Sequence, residues 1–204
     1  MKKELVSSTF KTLIFDLNGT ITGRVSEHSD HIAFRNKYIE EKLGKSLSEK
    51  LPNSTTLALQ VCGLSPIQYY IYRNSTIDWN LFHQYDESTE LEFQRLKEKG
   101  YNLVLYTDCL GEQIKATLKV LGMETIFDLI ISEEFNLKKP SPNVFKYVAD
   151  TFDCSFREIL MIGNDYNKDL LPLKILGGNT IQIDGEHELP EFFEFIQEKD
   201  HHVR

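Results

Sequence analysis

Four short groups of residues carry side chains that could work together on one substrate. They are Asp16-Leu17-Asn18-Gly19-Thr20, Thr107-Asp108, Lys138-Lys139-Pro140, and Gly163-Asn164-Asp165-Tyr166-Asn167-Lys168-Asp169. Asp16 offers a carboxylate able to attack an electrophile. A threonine hydroxyl and a lysine could then meet the charge that such an attack develops. The remaining carboxylates and amides are hard oxygen donors of the kind that suit Mg²⁺, which takes a few carboxylates, waters and substrate phosphate.

Each group follows a run that reads as a buried strand. The strand expectations cover residues 12–15, 102–106, 129–131, 159–162 and 180–183. The first is a short apolar run that stops at Asp16 and turns through Asn18-Gly19, a boundary typical of a parallel strand. Helical spacing occupies 91–99, 112–121, 142–152 and 168–176, with Gly100, Gly122 and Gly177 as stops. Strands alternating with helices predict an α/β fold, a doubly wound Rossmann-like parallel sheet. In such a sheet the C-terminal strand ends converge on one crevice, where ligands bind.

Residues 24–85 break this rhythm and hold no convincing strand. Helical patterns at 29–43, 57–62 and 66–72 predict an inserted α-helical cap. The expected division is therefore a core of 1–23 and 86–204, with a helical domain of 24–85. The last residues, 199–204, read as a frayed tail.

The chain has 204 residues, 41% hydrophobic and 26% charged, enough for one sizeable core plus an insertion. Its net charge of −8 argues against nonspecific nucleic-acid and anionic-membrane partners. An anionic small substrate stays compatible, because a bound cation reverses the local field. No apolar run reaches the length of about 18 residues that a transmembrane helix needs. Met1-Lys2-Lys3-Glu4 is not followed by an apolar signal core. Cys62, Cys109 and Cys154 are scattered and odd in number, which predicts reduced thiols and a cytoplasmic location. The sequence gives no signature of oligomeric state.

Other residues have plainer readings. Cys109 reads as a small packing residue and Asp108 as the N-cap of the following helix. Lys138 reads as a solvated neighbour of Lys139, although the two could exchange roles. Asp169 could be a cap or an outer partner. His28, His31 and His83 are expected to be exposed. Tyr69, Tyr70, Tyr72, Trp79 and Phe82 are expected to form the core of the insertion, or else a lid. Arg24, Arg35 and Arg73 are available for a second anionic group.

Taken in order, the four groups resemble the haloacid dehalogenase superfamily in its helical-cap, phosphatase-like branch. That pattern is D-x-D-G-T, a strand ending in Ser or Thr, a Lys followed by Pro, and an acidic G-D-x(3–4)-D element. The resemblance spans about residues 10–185 and takes in Lys138-Lys139-Pro140-Ser141-Pro142-Asn143-Val144-Phe145. It implies Asp16 as a nucleophile that forms an aspartyl-phosphate. It implies Thr107 and Lys139 on the transferring phosphoryl group, with backbone donors at Gly19 and Asp108. It implies Mg²⁺ held by Asp16, the main-chain carbonyl of Asn18 and a residue of the fourth group.

Two residues depart from the pattern. Asn18 stands where the family's acid–base aspartate is usual, and it cannot trade a proton. Asn164 stands where a metal-binding aspartate is usual. One register therefore places Asn164 at the metal with Asp169 beyond it, and a shifted register pairs Asp165 with Asp169. The resemblance implies a Mg²⁺-dependent phosphatase acting on a small phosphorylated metabolite, slowed at Asn18. The alternatives are a weak or inactive binding relative and a metal-free 2-haloacid dehalogenase.

Overall fold

The computed structural model describes residues 1–6, 9–23, 29–81, 83, 86–135 and 137–201. The chain divides into two compact units, Met1–Gly23 with His83–Arg204, and Arg24–Phe82. His83 thus belongs with the sheet, three residues outside the start predicted for the second core segment.

The first unit is built on one six-stranded sheet. Its strands are β1 (Lys2–Glu4), β2 (Thr12–Phe15), β3 (Asn102–Tyr106), β4 (Leu129–Ile131), β5 (Ile159–Gly163) and β6 (Asn179–Gln182). Their spatial order is β1-β6-β5-β2-β3-β4. All neighbours pair in parallel except β1 with β6. β6 starts and ends one residue earlier than the sequence pattern predicts. Lys2-Lys3-Glu4 has no apolar run, so β1 carries no strand signal in the sequence. It forms a charged edge strand, a common way of blunting an open sheet edge.

Successive residues of the central strands serve opposite faces, as strand geometry requires. Leu13, Phe15, Leu103, Leu105, Leu160 and Ile162 pack into one cluster. Ile14, Val104, Tyr106, Ile159 and Met161 pack into the other. The first cluster is closed by α4 (Glu87–Glu98), α5 (Gly111–Val120) and α8 (Leu189–His201). The second is closed by α6 (Pro142–Thr151) and α7 (Leu171–Ile175). Burial on both faces explains why these strands read as continuous apolar runs.

α8 contradicts the frayed-tail reading as far as His201; residues 202–204 lie outside the described residues. Leu189, Phe192, Phe193 and Ile196 all face the core. Their i, i+3, i+4, i+7 spacing was the available signal. The helix predicted at 168–176 is instead a π-helical turn, Tyr166–Leu170, running into the five-residue α7. Pro172 lacks the N–H that a continuous helix there would use.

The second unit holds α1 (Ser29–Leu43), α2 (Thr55–Val61) and α3 (Pro66–Thr76). Its own small core contains Tyr38, Ile39, Leu59 and Tyr69, with Phe34, Leu43, Leu64 and Tyr70 against it. Among the described residues no helix is long and apolar enough to cross a membrane.

Candidate active site

The register of the sheet brings the predicted groups to one edge. Phe15 pairs with Leu105 on one side and Ile162 on the other. Asp16 therefore follows β2 between the ends of β3 and β5, where Thr107 and Asn164 leave their strands. Main-chain bonds hold these exits: Asp16 N donates to Ile162 O at 3.0 Å, and Thr107 N donates to Ile131 O at 3.0 Å. Asp16 and Thr107 are both buried.

Lys139 joins the groups. Its Nζ lies 2.5 Å from Asp16 Oδ1 and 2.8 Å from Asp169 Oδ1. It sits over the Tyr106 ring, 5.0 Å from the centroid. The Lys139 side chain is 4% exposed, so water screens these contacts little. Burial opposes its charge, but the two carboxylates outweigh burial and hold the ammonium above its usual value. Burial, with the Asp16 carboxylate, pushes Asp169 up to about 6 against the pull of Lys139. Lys138 is solvent-facing and pairs with Glu133 at 2.5 Å, so the two lysines do not exchange roles.

The turn after β2 is tied to itself. Thr20 Oγ1 donates to Asp16 Oδ2 at 3.1 Å. Gly19 turns the chain at φ 84° and donates its N–H to Thr22 O at 2.7 Å. Asn18 is held from both sides. Thr22 Oγ1 donates to its Oδ1 at 3.4 Å, and its Nδ2 donates to Cys109 Sγ at 2.9 Å. Cys109 N also donates to Thr107 Oγ1 at 3.3 Å. Cys109 thus does more than pack, and Thr20, Thr22 and Tyr106, which carry no signal of their own in the sequence, join the site through these contacts.

Asp108 does not cap α5. Leu110 occupies that N-cap position and makes no side-chain cap bond. Asp108 Oδ1 instead accepts the backbone N–H of Lys139 at 3.1 Å, fixing the loop that carries the lysine.

In the fourth group, Asp165 Oδ1 accepts the N–H groups of Asn167 at 3.0 Å and Lys168 at 3.1 Å. It serves as the cap of the π turn. Asp169 folds back, its Oδ2 accepting the N–H of Asp165 at 3.0 Å. This return demands glycine at 163, since a Cβ there would stand 2.6 Å from Asp169 Cβ. The side-chain amide of Asn164 and the main-chain carbonyl of Asn18 accept no hydrogen bond among the described residues. Among those residues, no three His, Cys, Asp or Glu side chains gather as a metal site.

Polar residues in and just after the insertion differ from their predicted surroundings. His31 and His83 are buried, not exposed. His31 Nε2 lies 3.4 Å from the Tyr69 hydroxyl, and His83 Nε2 lies 3.3 Å from Thr117 Oγ1. Arg35 is buried and donates to the carbonyls of Pro52 at 2.9 Å and Asn53 at 3.0 Å. It clasps its own unit and does not wait for an anion. Arg73 is buried between the Tyr70 and Trp79 rings. Tyr69 and Trp79 are buried as expected for insertion core, whereas Tyr72 is exposed on one edge. Arg24, His28 and Phe82 lie outside the described residues.

A sequence model of the haloacid dehalogenase-like hydrolase family matches residues 13–181. Glyceraldehyde 3-phosphate phosphatases are similar over part of the chain. That of Pyrococcus abyssi is 34% identical over 90 residues, 43% of this chain and 37% of its own length. That of Methanocaldococcus jannaschii is 37% identical over 89 residues, 43% of this chain and 39% of its own. The chain thus matches less than half the length of these relatives. Pyrophosphatase PpaX of Bacillus thuringiensis is 23% identical over 76% of this chain and 75% of its own. A HAD phosphatase from Thermococcus onnurineus shares the fold at TM-score 0.66 and 21% identity, over 90% of this chain and 97% of that one.

Proposed function

Since the chain belongs to the haloacid dehalogenase-like hydrolase family, we propose that it is a phosphatase acting on a small phosphorylated metabolite through an aspartyl-phosphate. The observation that carries this reading is the buried contact of Lys139 with both Asp16 and Asp169. It gives the carboxylate at the sheet edge a buried cationic partner, which lessens the repulsion that a phosphate dianion meets there.

Asp16 attacks phosphorus, and the bond from phosphorus to the leaving oxygen breaks with its electron pair on that oxygen. The Thr107 hydroxyl and the backbone N–H of Asp108 donate to the phosphoryl oxygens, whereas the Gly19 N–H expected there is already taken by Thr22 O. Lys139 balances charge as it moves from nucleophile to leaving oxygen. Water then attacks phosphorus, the bond from phosphorus to Asp16 breaks with its electron pair on the carboxylate, and the water's proton passes to solvent or stays on the phosphate released. Such chemistry asks for positioning and charge balance more than for elaborate covalent steps. Asn18 supplies an oriented amide but no proton. The leaving oxygen therefore departs as an anion or takes its proton from solvent, which favours substrates with stable leaving groups.

The site suits Mg²⁺. The Asp16 carboxylate, the unengaged carbonyl of Asn18 and the unengaged amide of Asn164 are hard donors on neighbouring loops. Asp165 Oδ1 caps the π turn, and Asp169 is drawn back onto the N–H of Asp165 and onto Lys139, which favours the register with Asn164 at the ion. Bound there, Mg²⁺ supplies charge neutralisation for the phosphoryl oxygens. One carboxylate with two neutral donors predicts weak metal affinity. The family resemblance assigns the insertion of 24–82 the selection of substrate.

Hydrolysis of para-nitrophenyl phosphate, stimulated by Mg²⁺, tests the reading. The Asp16→Asn chain should be inactive and should form no hydroxylamine-sensitive phosphoenzyme. Full activity in that variant would remove the nucleophile. The two asparagines favour a second reading, a ligand-binding relative with little turnover. It would show a phosphate-dependent melting shift without hydrolysis. Halide release from a 2-haloacid without metal would instead favour dehalogenase chemistry.

A further inference from the structure

β3 ends in an aromatic residue after three aliphatic ones, Leu103-Val104-Leu105-Tyr106. Tyr106 belongs to the same core cluster as Val104. Another aliphatic side chain would fill that place without bringing a polar group into the core. A buried phenol must find a partner for its hydroxyl. Tyr106 is fully buried, and its hydroxyl donates to Leu137 O at 2.8 Å. Phe145 of α6 meets its ring edge to face, at 6.3 Å and 84°, so packing sets the ring plane. Two residues on, Asp108 accepts the Lys139 N–H at 3.1 Å. One strand end therefore grips the following loop at residues 137 and 139.

What the ring faces gives this grip a purpose. Lys139 Nζ lies over it, 5.0 Å from the centroid, while Asp16 and Asp169 approach the ammonium at 2.5 Å and 2.8 Å. A third carboxylate in place of the ring would add negative charge where a phosphate must come in. An aliphatic side chain would leave that side of a buried cation without any compensating field. An aromatic face attracts a cation while carrying no net charge. Burial holds the phenol above its usual value even beside Lys139, so the ring stays neutral.

We propose that Tyr106 is a positioning residue: its ring face fixes where the Lys139 ammonium stands, and its hydroxyl ties down the loop that carries the lysine. The role rests on the phosphatase reading, but the contact itself does not. Nuclear magnetic resonance therefore reads the contact without turnover. In the full chain labelled with ¹³C-lysine, the Lys139 ε-methylene should carry a ring-current shift that Tyr106→Phe keeps and Tyr106→Leu loses. In hydrolysis of para-nitrophenyl phosphate, Tyr106→Leu should lower kcat by roughly ten- to thirtyfold and leave KM within about threefold, the loss of a desolvated cation–π contact felt in the transition state. Tyr106→Phe should keep kcat within about threefold of the parent, while its urea midpoint falls with the lost hydrogen bond. Activity then follows the ring and stability the hydroxyl, a separation that a residue of packing alone would not produce. Should Tyr106→Leu fail to fold, Tyr106→Met carries the same expectation. Equal losses of kcat in the Phe and Leu chains, a Leu chain with the parent's kcat, or a parent without the ring-current shift would each overturn the proposal. A parent that shows the shift but hydrolyses no phosphomonoester would keep the contact and remove its role together with the phosphatase reading.

Discussion

Lys139 keeps two carboxylates in company that would otherwise repel. Replacing it with methionine leaves Asp16 and Asp169 facing each other in a buried setting, and the loss of one partner from such a pair costs about 3–5 kcal/mol. The pH dependence has a definite sign. Asp169 has its pKa raised from 3.8 to about 6, so the folded chain holds that proton more tightly than the unfolded chain. Its contribution to stability therefore falls as pH climbs through that window. The penalty of Lys139→Met should accordingly be smaller near pH 5 than near pH 7, as read by urea denaturation. Equal penalties at both would mean that the carboxylates do not feel each other. The two asparagines predict the opposite kind of change. Asn18→Asp supplies the missing acid–base group and should raise turnover by about 10²–10⁴-fold for poor leaving groups. Asn164→Asp should lower the Mg²⁺ concentration needed for half-maximal activity. An unchanged metal requirement would move the ion to Asp165 or Asp169. Asp16, Thr107 and Lys139 were legible because each stands beyond an apolar run. The division of labour between Asp165 and Asp169 was not, because both are acids in one loop and only the π turn separates cap from ion pair.

Small contacts at the start and end of the elements set that arrangement. Before β5, Glu158 accepts the Ser155 N–H and hydroxyl, both at 2.9 Å, and pairs with Lys11 Nζ at 2.7 Å. Lys11 N in turn donates to Glu158 O at 2.8 Å. The two strands that flank the site are thus tied where they begin. The bond from Lys11 and those from Ser155 lower Glu158 from 4.5 to about 2. A lowered carboxylate stabilises the fold above its unfolded value and loses that effect as pH falls through its folded one. Glu158→Gln should therefore lower the melting temperature at neutral pH, and the gap from the parent should close between pH 4.5 and about 2. A gap independent of pH would assign the loss to packing alone. Beyond β5, Gly163→Ala should push Asp169 off Lys139 and cost about 1–3 kcal/mol through overpacking, visible as a lower urea midpoint together with lost activity. The central strands and most of the helices were legible because their apolar periodicity is strong. β1 was not, since an edge strand of Lys2-Lys3-Glu4 gains its place from pairing with β6 and not from burial.

At the scale of the molecule, the buried hydrophobic residues sort by unit. Among the described residues, the clusters on both faces of the sheet draw on 1–23 and 83–204. The insertion's cluster draws, among the described residues, on its own helices and the loops between them. Domains that own their cores can fold alone, and the sheet unit has by far the larger one. Replacing residues 24–82 with a flexible Gly/Ser linker of about ten residues, a spacer with little stiffness of its own, should therefore leave a chain that unfolds in one cooperative transition. The isolated 24–82 segment should fare worse. Its core rests on Tyr38, Ile39, Leu59 and Tyr69, and domains of this size are marginal without further support. Thermal melts by near-ultraviolet circular dichroism separate the cases. A linker chain that melts without cooperativity, or whose aromatic signal is already lost at low temperature, would show that the sheet needs the insertion to fold. If it folds, its activity distinguishes two jobs. Retained hydrolysis of para-nitrophenyl phosphate with lost discrimination among larger phosphomonoesters would assign the insertion to substrate selection. Loss of both would assign it a part in building the site itself.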